Sequence, residues 1–184
     1  MAAEDTPLCD FGAKAHGFHL PGVDGHEWAL QDCRGDKATL IMFICNHCPY
    51  VIGSIDRIVA ACSELAHHGV KAVAICSNDA VTYPDDSFEN MRHFAKAHRF
   101  PFPYLHDESQ EVARAYGAVC TPDFFGYNGH LELQYRGRLD AGRNAPPPTG
   151  ARRELHDAML EIARAGHGPK EQMASVGCSI KWKA

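Results

Sequence analysis

Hydrophobic positions in this chain fall into a few well-separated patterns. TLIMFI (residues 39–44) is apolar without alternation, which predicts a strand covered on both faces, and KAVAIC (71–76) reads the same way. Between them Ile55, Ile58, Val59, Cys62 and Leu65 recur at helical spacing, and Gly69 offers a stop. The spacing predicts a helix over 47–67. Strand, helix, strand with a right-handed crossover puts the two strands parallel.

Downstream, residues 85–98 open with acids and place Phe88, Met91, Phe94 and Ala95 on one face, the pattern of an amphipathic helix. A shorter helix over 108–117 ends at a glycine. DFFGYNGHLELQYRGR (123–138) sets two apolar runs around Asn128-Gly129, a strong hairpin signal. After the linker NAPPPTG, a last helix over 151–165 has Leu155, Ala158, Met159 and Ile162 on its buried face. Residues 1–38 interleave apolar and polar positions around VDGH and predict a short extended amino-terminal layer. The tail, 166–184, has no clear period. At 184 residues the chain suits one domain carrying these two decorations.

Composition narrows the partners. With 45% hydrophobic and 22% charged residues and a formal net charge of -5, neither nucleic acid nor an anionic membrane is an expected partner. No apolar run has transmembrane length, and MAAEDTPLCDF carries acids where a secretory signal carries bases, so the expected location is cytoplasmic. Eight cysteines (9, 33, 45, 48, 62, 76, 120 and 178) are scattered rather than spaced as staples, so most are expected as thiols.

The chemistry concentrates in IMFICNHCPYV, 41–51. A cysteine at the first position of a helix faces unpaired N–H groups and the positive dipole end, which favour thiolate. Cys45 is expected there as the attacking sulfur, with Cys48 one turn on as the resolving one. His47, when protonated, would add a positive charge beside the sulfur. A zinc site needs two more ligands and no second CxxC or HxxxH is present; Pro49 stands where haem attachment requires histidine. No metal and no cofactor are therefore expected. Cys62 and Cys76 read as core residues, and Cys9 and Cys33 as loop residues. Cys120, next to Thr121-Pro122, and Cys178 in the tail stay open as further redox thiols.

The element order is that of a thioredoxin-like α/β fold, a central mixed sheet flanked by helices. The stretches FHLPGVDG, FICNHCPYV, ICSNDAVTYPDDSFENM, YGAVCTPDFFGYN, YRGRLD and GCSIKWK together resemble the peroxiredoxin-like, redoxin-domain (AhpC/TSA-related) branch of that superfamily. The resemblance implies Cys45 and Cys48 as redox pair, Pro122 as a cis-proline facing them, and Thr121 offering backbone to an extended substrate. Peroxiredoxins carry threonine or serine where Cys45 stands, and an arginine where Thr121-Pro122 falls. Thioredoxins place a buried acid on the strand that here reads TLIMFI. The expected activity is thiol–disulfide exchange with a protein or small-molecule disulfide, supported by an electron-donating thiol system. Two alternatives stay open: a thiol peroxidase in which hydroperoxide meets Cys48 and Cys45 resolves the sulfenic acid, and a copper carrier.

Overall fold

In the computed structural model, which describes residues 2–184, the chain opens with strand β1 (Ala3–Asp5). The hairpin β2 (His19–Pro21) and β3 (Glu27–Ala29) and the one-turn helix α1 (Leu30–Cys33) follow. Strand β4 (Ala38–Phe43) leads through the short helix α2 (Pro49–Ile52) and the longer α3 (Ile55–Ala66) to β5 (Val70–Cys76). A 3₁₀ turn (Pro84–Asp86) precedes α4 (Phe88–Ala97), β6 (Tyr104–His106) and α5 (Glu111–Tyr116). The remaining elements are β7 (Cys120–Thr121), β8 (Asp123–Asn128), β9 (Leu133–Tyr135), α6 (Glu154–Ala165) and β10 (Val176–Ser179).

Five strands form the central sheet in the order β6-β5-β4-β8-β9. Strands β4, β5 and β6 run parallel, while β8 lies antiparallel to both β4 and β9. The unbroken apolar run of β4 now has its reason. Leu40, Met42 and Ile44 enter the core beneath α3 and α6, whereas Ile41 and Phe43 enter the opposite core beneath the amino-terminal layer and α5. A strand sandwiched this way has no solvent face on which a polar residue would be stable.

The predicted helix over 47–67 divides into α2 and α3 at Gly53-Ser54. A Cβ at position 53 would collide with the Asn144 backbone, so Gly53 admits the loop that lies there. The Ser54 hydroxyl donates back to the Tyr50 carbonyl at 2.6 Å, a bond that bends helices. The hairpin forms with Asn128 at its corner, its Oδ1 accepting from the backbone of His130 and Glu132.

Three strands escape the sequence patterns. β6 is three residues directly after Pro101 and Pro103 and earns its place only by pairing with β5. β7 has two residues and β10 four, and with β1 they make a second sheet, β1-β10-β7. The tail is thus structured: Lys181 N–H donates to Asn78 Oδ1 at 2.9 Å and its carbonyl accepts from Gln110 Nε2 at 2.9 Å. No helix among the described residues is long and apolar enough to cross a membrane.

Candidate active site

The end of β4 delivers the CNHC segment. The register that opposes Phe43 to Asp123 brings the Thr121-Pro122 peptide, which is cis, against it from β7–β8. Cys45 Sγ lies 3.4 Å from Thr121 Oγ1, and Cys48 Sγ lies 3.2 Å from the Thr121 carbonyl oxygen. Both sulfurs are buried, and each hydrogen-bonds the other. The structure therefore brings Cys45, Cys48, Thr121 and the Thr121-Pro122 peptide together. Asp123 is held by Arg136, Nη2 to Oδ2 at 3.0 Å, and accepts from the Val119 N–H, which anchors the turn around Pro122.

The local placement of the two cysteines differs from expectation. The helix starts at Pro49, not at 47, because proline fits the first helical position, where no N–H is needed. Cys48 is consequently the residue that caps the helix start, and Cys45 lies in the loop before it. The charge follows that placement. Cys48 is pulled down to about 5, chiefly by the hydrogen bond from Cys45, against burial, with further donation from Cys178 and Thr121. The Cys45 thiol is pushed well above its ordinary value by that same bond, by burial and by the nearby Asp86 carboxylate. The balance favours a thiolate on Cys48, against the Thr121 carbonyl oxygen to which the protonated thiol donates.

His47 also sits differently. Its Nδ1 lies 2.7 Å from Asp86 Oδ2, but the N–H direction misses that oxygen, so the attraction is ionic and requires a protonated ring. Any charge on His47 faces a carboxylate, which offsets it before it can favour a thiolate on Cys45. The ring stacks on Tyr83 with a centroid distance of 6.1 Å.

Sequence reasoning missed the polar bed beneath the motif. Asp86 is fully buried and accepts from the Asn46 N–H and from Asn78 Nδ2, both at 2.8 Å. Tyr104 OH donates to Asn46 Oδ1 at 2.8 Å. These bonds pin Asn46 between the cysteines. Asp85-Asp86 reads in sequence as helix-start acid; the only available signal was the absence of an acid on β4, which left proton transfer without a group. Asp86 also enlarges the donor set for a cation: ligand atoms of Cys45, His47 and Asp86 all lie within 4.8 Å of one another.

The other cysteines divide. Burial pushes Cys62 and Cys76 up to about 12, as core thiols. Cys33 is buried at the end of α1 and Cys9 is half-buried. Cys120 is buried with its Sγ 3.7 Å from the Pro122 carbonyl, and burial raises its thiol. Cys178, on β10 opposite Thr121, is raised by burial and by the neighbouring Cys48.

A dithiol at the end of a central strand, faced by a cis-proline turn, defines a thioredoxin-like protein. Within that class the chain belongs to the AhpC/TSA family, whose pattern matches residues 11–141. It is 44% identical to an uncharacterized conserved protein from Geobacillus kaustophilus, with a TM-score of 0.91 over 100% of this chain and 97% of that one. Peroxidoxin BcpB from Mycobacterium tuberculosis shares the fold at 18% identity and a TM-score of 0.62, over 84% of this chain and 96% of its own. A thiol:disulfide interchange protein of the thioredoxin family from Chlorobium tepidum does so at 19% identity and 0.61, over 83% and 96%. No curated protein sequence matches the chain significantly.

Proposed function

We propose that this protein is a thiol–disulfide oxidoreductase cycling between the Cys45/Cys48 dithiol and its disulfide. The observation that carries the reading is the convergence of both sulfurs on Thr121, the residue before the cis-proline. In contrast to the expectation from sequence, Cys48 is the attacking sulfur and Cys45 the resolving one. The Cys48 thiolate attacks a partner disulfide, one partner sulfur leaves as thiolate, and Cys45 then displaces the other from Cys48. The partner gains two electrons and the protein disulfide must be reduced by an external thiol system. Tyr83, stacked on His47, exposes apolar surface beside the motif, and a protein or peptide partner would find its footing there.

A second reading, reduction of hydroperoxide at Cys48, is favoured by one observation: Cys48 is fully buried, where a small peroxide reaches more easily than a protein disulfide. The O–O bond would break on attack, leaving sulfenic acid on Cys48 and releasing water or alcohol; Cys45 would then condense with it, releasing water. Stopped-flow oxidation of the reduced protein by oxidised glutathione and by hydrogen peroxide, followed by peptide mapping, decides. The oxidoreductase reading expects disulfide to generate the Cys45–Cys48 bond, with Cys48→Ser losing it. Rapid reaction with peroxide alone would establish the second reading instead.

A further inference from the structure

Cys48 has two thiol neighbours, not one. On one side is Cys45, three residues back in the same segment; on the other is Cys178, from the opposite end of the chain. Antiparallel pairing sets Cys178 across from Thr121, whose carbonyl oxygen is 3.2 Å from Cys48 Sγ. Cys178 and Cys48 share one buried cluster, and both the side chain and the backbone N–H of Cys178 favour charge on Cys48.

The close approach is built in. Gly177 lies so tightly on the Thr121-Pro122 backbone that a Cβ there would collide with the Thr121 carbonyl. The strand is held on either side of Cys178: Ser175 Oγ donates to the Pro122 carbonyl at 2.9 Å and Lys181 N–H donates to Asn78 Oδ1 at 2.9 Å. A buried cysteine is ordinarily a small apolar filler. This one is held by its strand beside the Thr121 carbonyl on which Cys48 Sγ sits.

We propose that Cys178 is a second resolving thiol, able to close a Cys48–Cys178 disulfide when Cys48 carries a partner. The inference rests on Cys48 being the attacking sulfur, as argued above. In the first step the Cys48 thiolate forms a bond to one partner sulfur and the partner's own S–S bond breaks, the second partner sulfur leaving as thiolate. In the next step Cys178 gives its proton to that departing thiolate or to water and attacks the Cys48 sulfur. The Cys48–partner bond breaks with its electron pair on the partner. Two electrons have passed from Cys48 and Cys178 to the partner disulfide.

The resting state and the reacting state differ as this step requires. While Cys48 is a thiolate, its charge and hydrogen bond, together with burial, keep Cys178 protonated. Once Cys48 is bound to a partner that charge is gone, and the obstacle to a Cys178 thiolate is partly removed. The same holds for Cys45, so the two thiols compete to resolve one mixed disulfide.

The test compares wild type, Cys45→Ser and Cys45→Ser/Cys178→Ser, each reduced, exposed to oxidised glutathione and mapped by mass spectrometry without reductant. Cys45→Ala serves as a second form of the single variant should the serine impair folding in the buried site. The single variant is expected to lose its glutathione adduct and yield a linked Cys48–Cys178 peptide two hydrogens lighter than the free pair. The double variant is expected to retain the adduct on Cys48. A single variant that keeps glutathione on Cys48 with no linked peptide overturns the second resolving thiol while leaving Cys48 as the attacking sulfur. Absence of the adduct from Cys48 even in the double variant overturns the attacking role itself, and this inference with it.

Discussion

Which of two adjacent sulfurs carries the charge is decided by single neighbours. Asp86 stands by Cys45 and Cys178 by Cys48, while Thr121 reaches both, its hydroxyl 3.4 Å from Cys45 Sγ and its carbonyl oxygen 3.2 Å from Cys48 Sγ. Alkylation of Cys48 by iodoacetamide should therefore be half-maximal at a pH of about 5, not near the ordinary thiol value of 9.0. Peptide mapping of the alkylated protein across pH checks this, and a midpoint on Cys48 near 9 would refute it. The sign for stability follows from the lowered value. The contribution of Cys48 is complete above about pH 9 and drains away as pH falls through about 5. The melting-temperature advantage of reduced wild type over Cys48→Ser should shrink accordingly on acidification. Asp86→Asn removes the charge that opposes a Cys45 thiolate. Selectivity of alkylation for Cys48 over Cys45 should fall by about tenfold, the equivalent of one pKa unit; unchanged selectivity would mean that Asp86 acts only as a hydrogen-bond acceptor.

At the level of elements, the short strand β10 has influence out of proportion to its length. Gly177 is the residue that lets it seat. Glycine-to-alanine changes inside strands ordinarily stabilise by roughly 0.5–1 kcal/mol, because glycine loses more freedom on folding. Here the added methyl meets the Thr121 carbonyl, and Gly177→Ala should instead destabilise by about 1–3 kcal/mol, the cost of overpacking. Urea unfolding of the reduced protein gives the number, and a gain in stability would show that β10 has room to shift. The helix break at Gly53-Ser54 belongs to the same scale. Helical periodicity runs through it in sequence, and the interruption reflects a loop from residues 142–147 that no local pattern announces.

For the molecule as a whole, the tail closes the structure. β10 lies between β1 and β7, and beyond it Lys181 and Lys183 satisfy Asn78 Oδ1 and both ends of the Gln110 amide. The Asp79 N–H also donates to the Lys181 carbonyl, at 2.8 Å. Deleting residues 176–184 would strip these bonds from Asn78 Oδ1, Gln110 Oε1 and the Asp79 N–H, at about 1–3 kcal/mol each, while Gln110 Nε2 keeps the Ser77 carbonyl. Their sum is comparable with the total stability of a domain, about 5–15 kcal/mol. The truncated chain is expected to melt far below the full one or to fail to fold, read by circular dichroism on heating. A matching melting temperature would mean that the tail is ornamental.

Much of this architecture was legible in the sequence because it is local. The buried run of β4, the apolar faces of α3, α4 and α6, the Asn-Gly hairpin and the cysteine pair at a strand end are all properties of neighbouring residues. Periodicity and turn chemistry act within a few positions, so one sequence window contains them. The chemistry of the pair was only partly local. Beyond the mutual influence of the two sulfurs, Cys178 and Thr121 favour the charge on Cys48, burial and Asp86 keep the proton on Cys45, and His47 faces that same carboxylate. Those groups reach the motif from β7, β10 and the 3₁₀ turn before α4. Proximity of charge and hydrogen-bond donors in three dimensions sets a thiol's pKa, and only tertiary structure decides which distant residues become near.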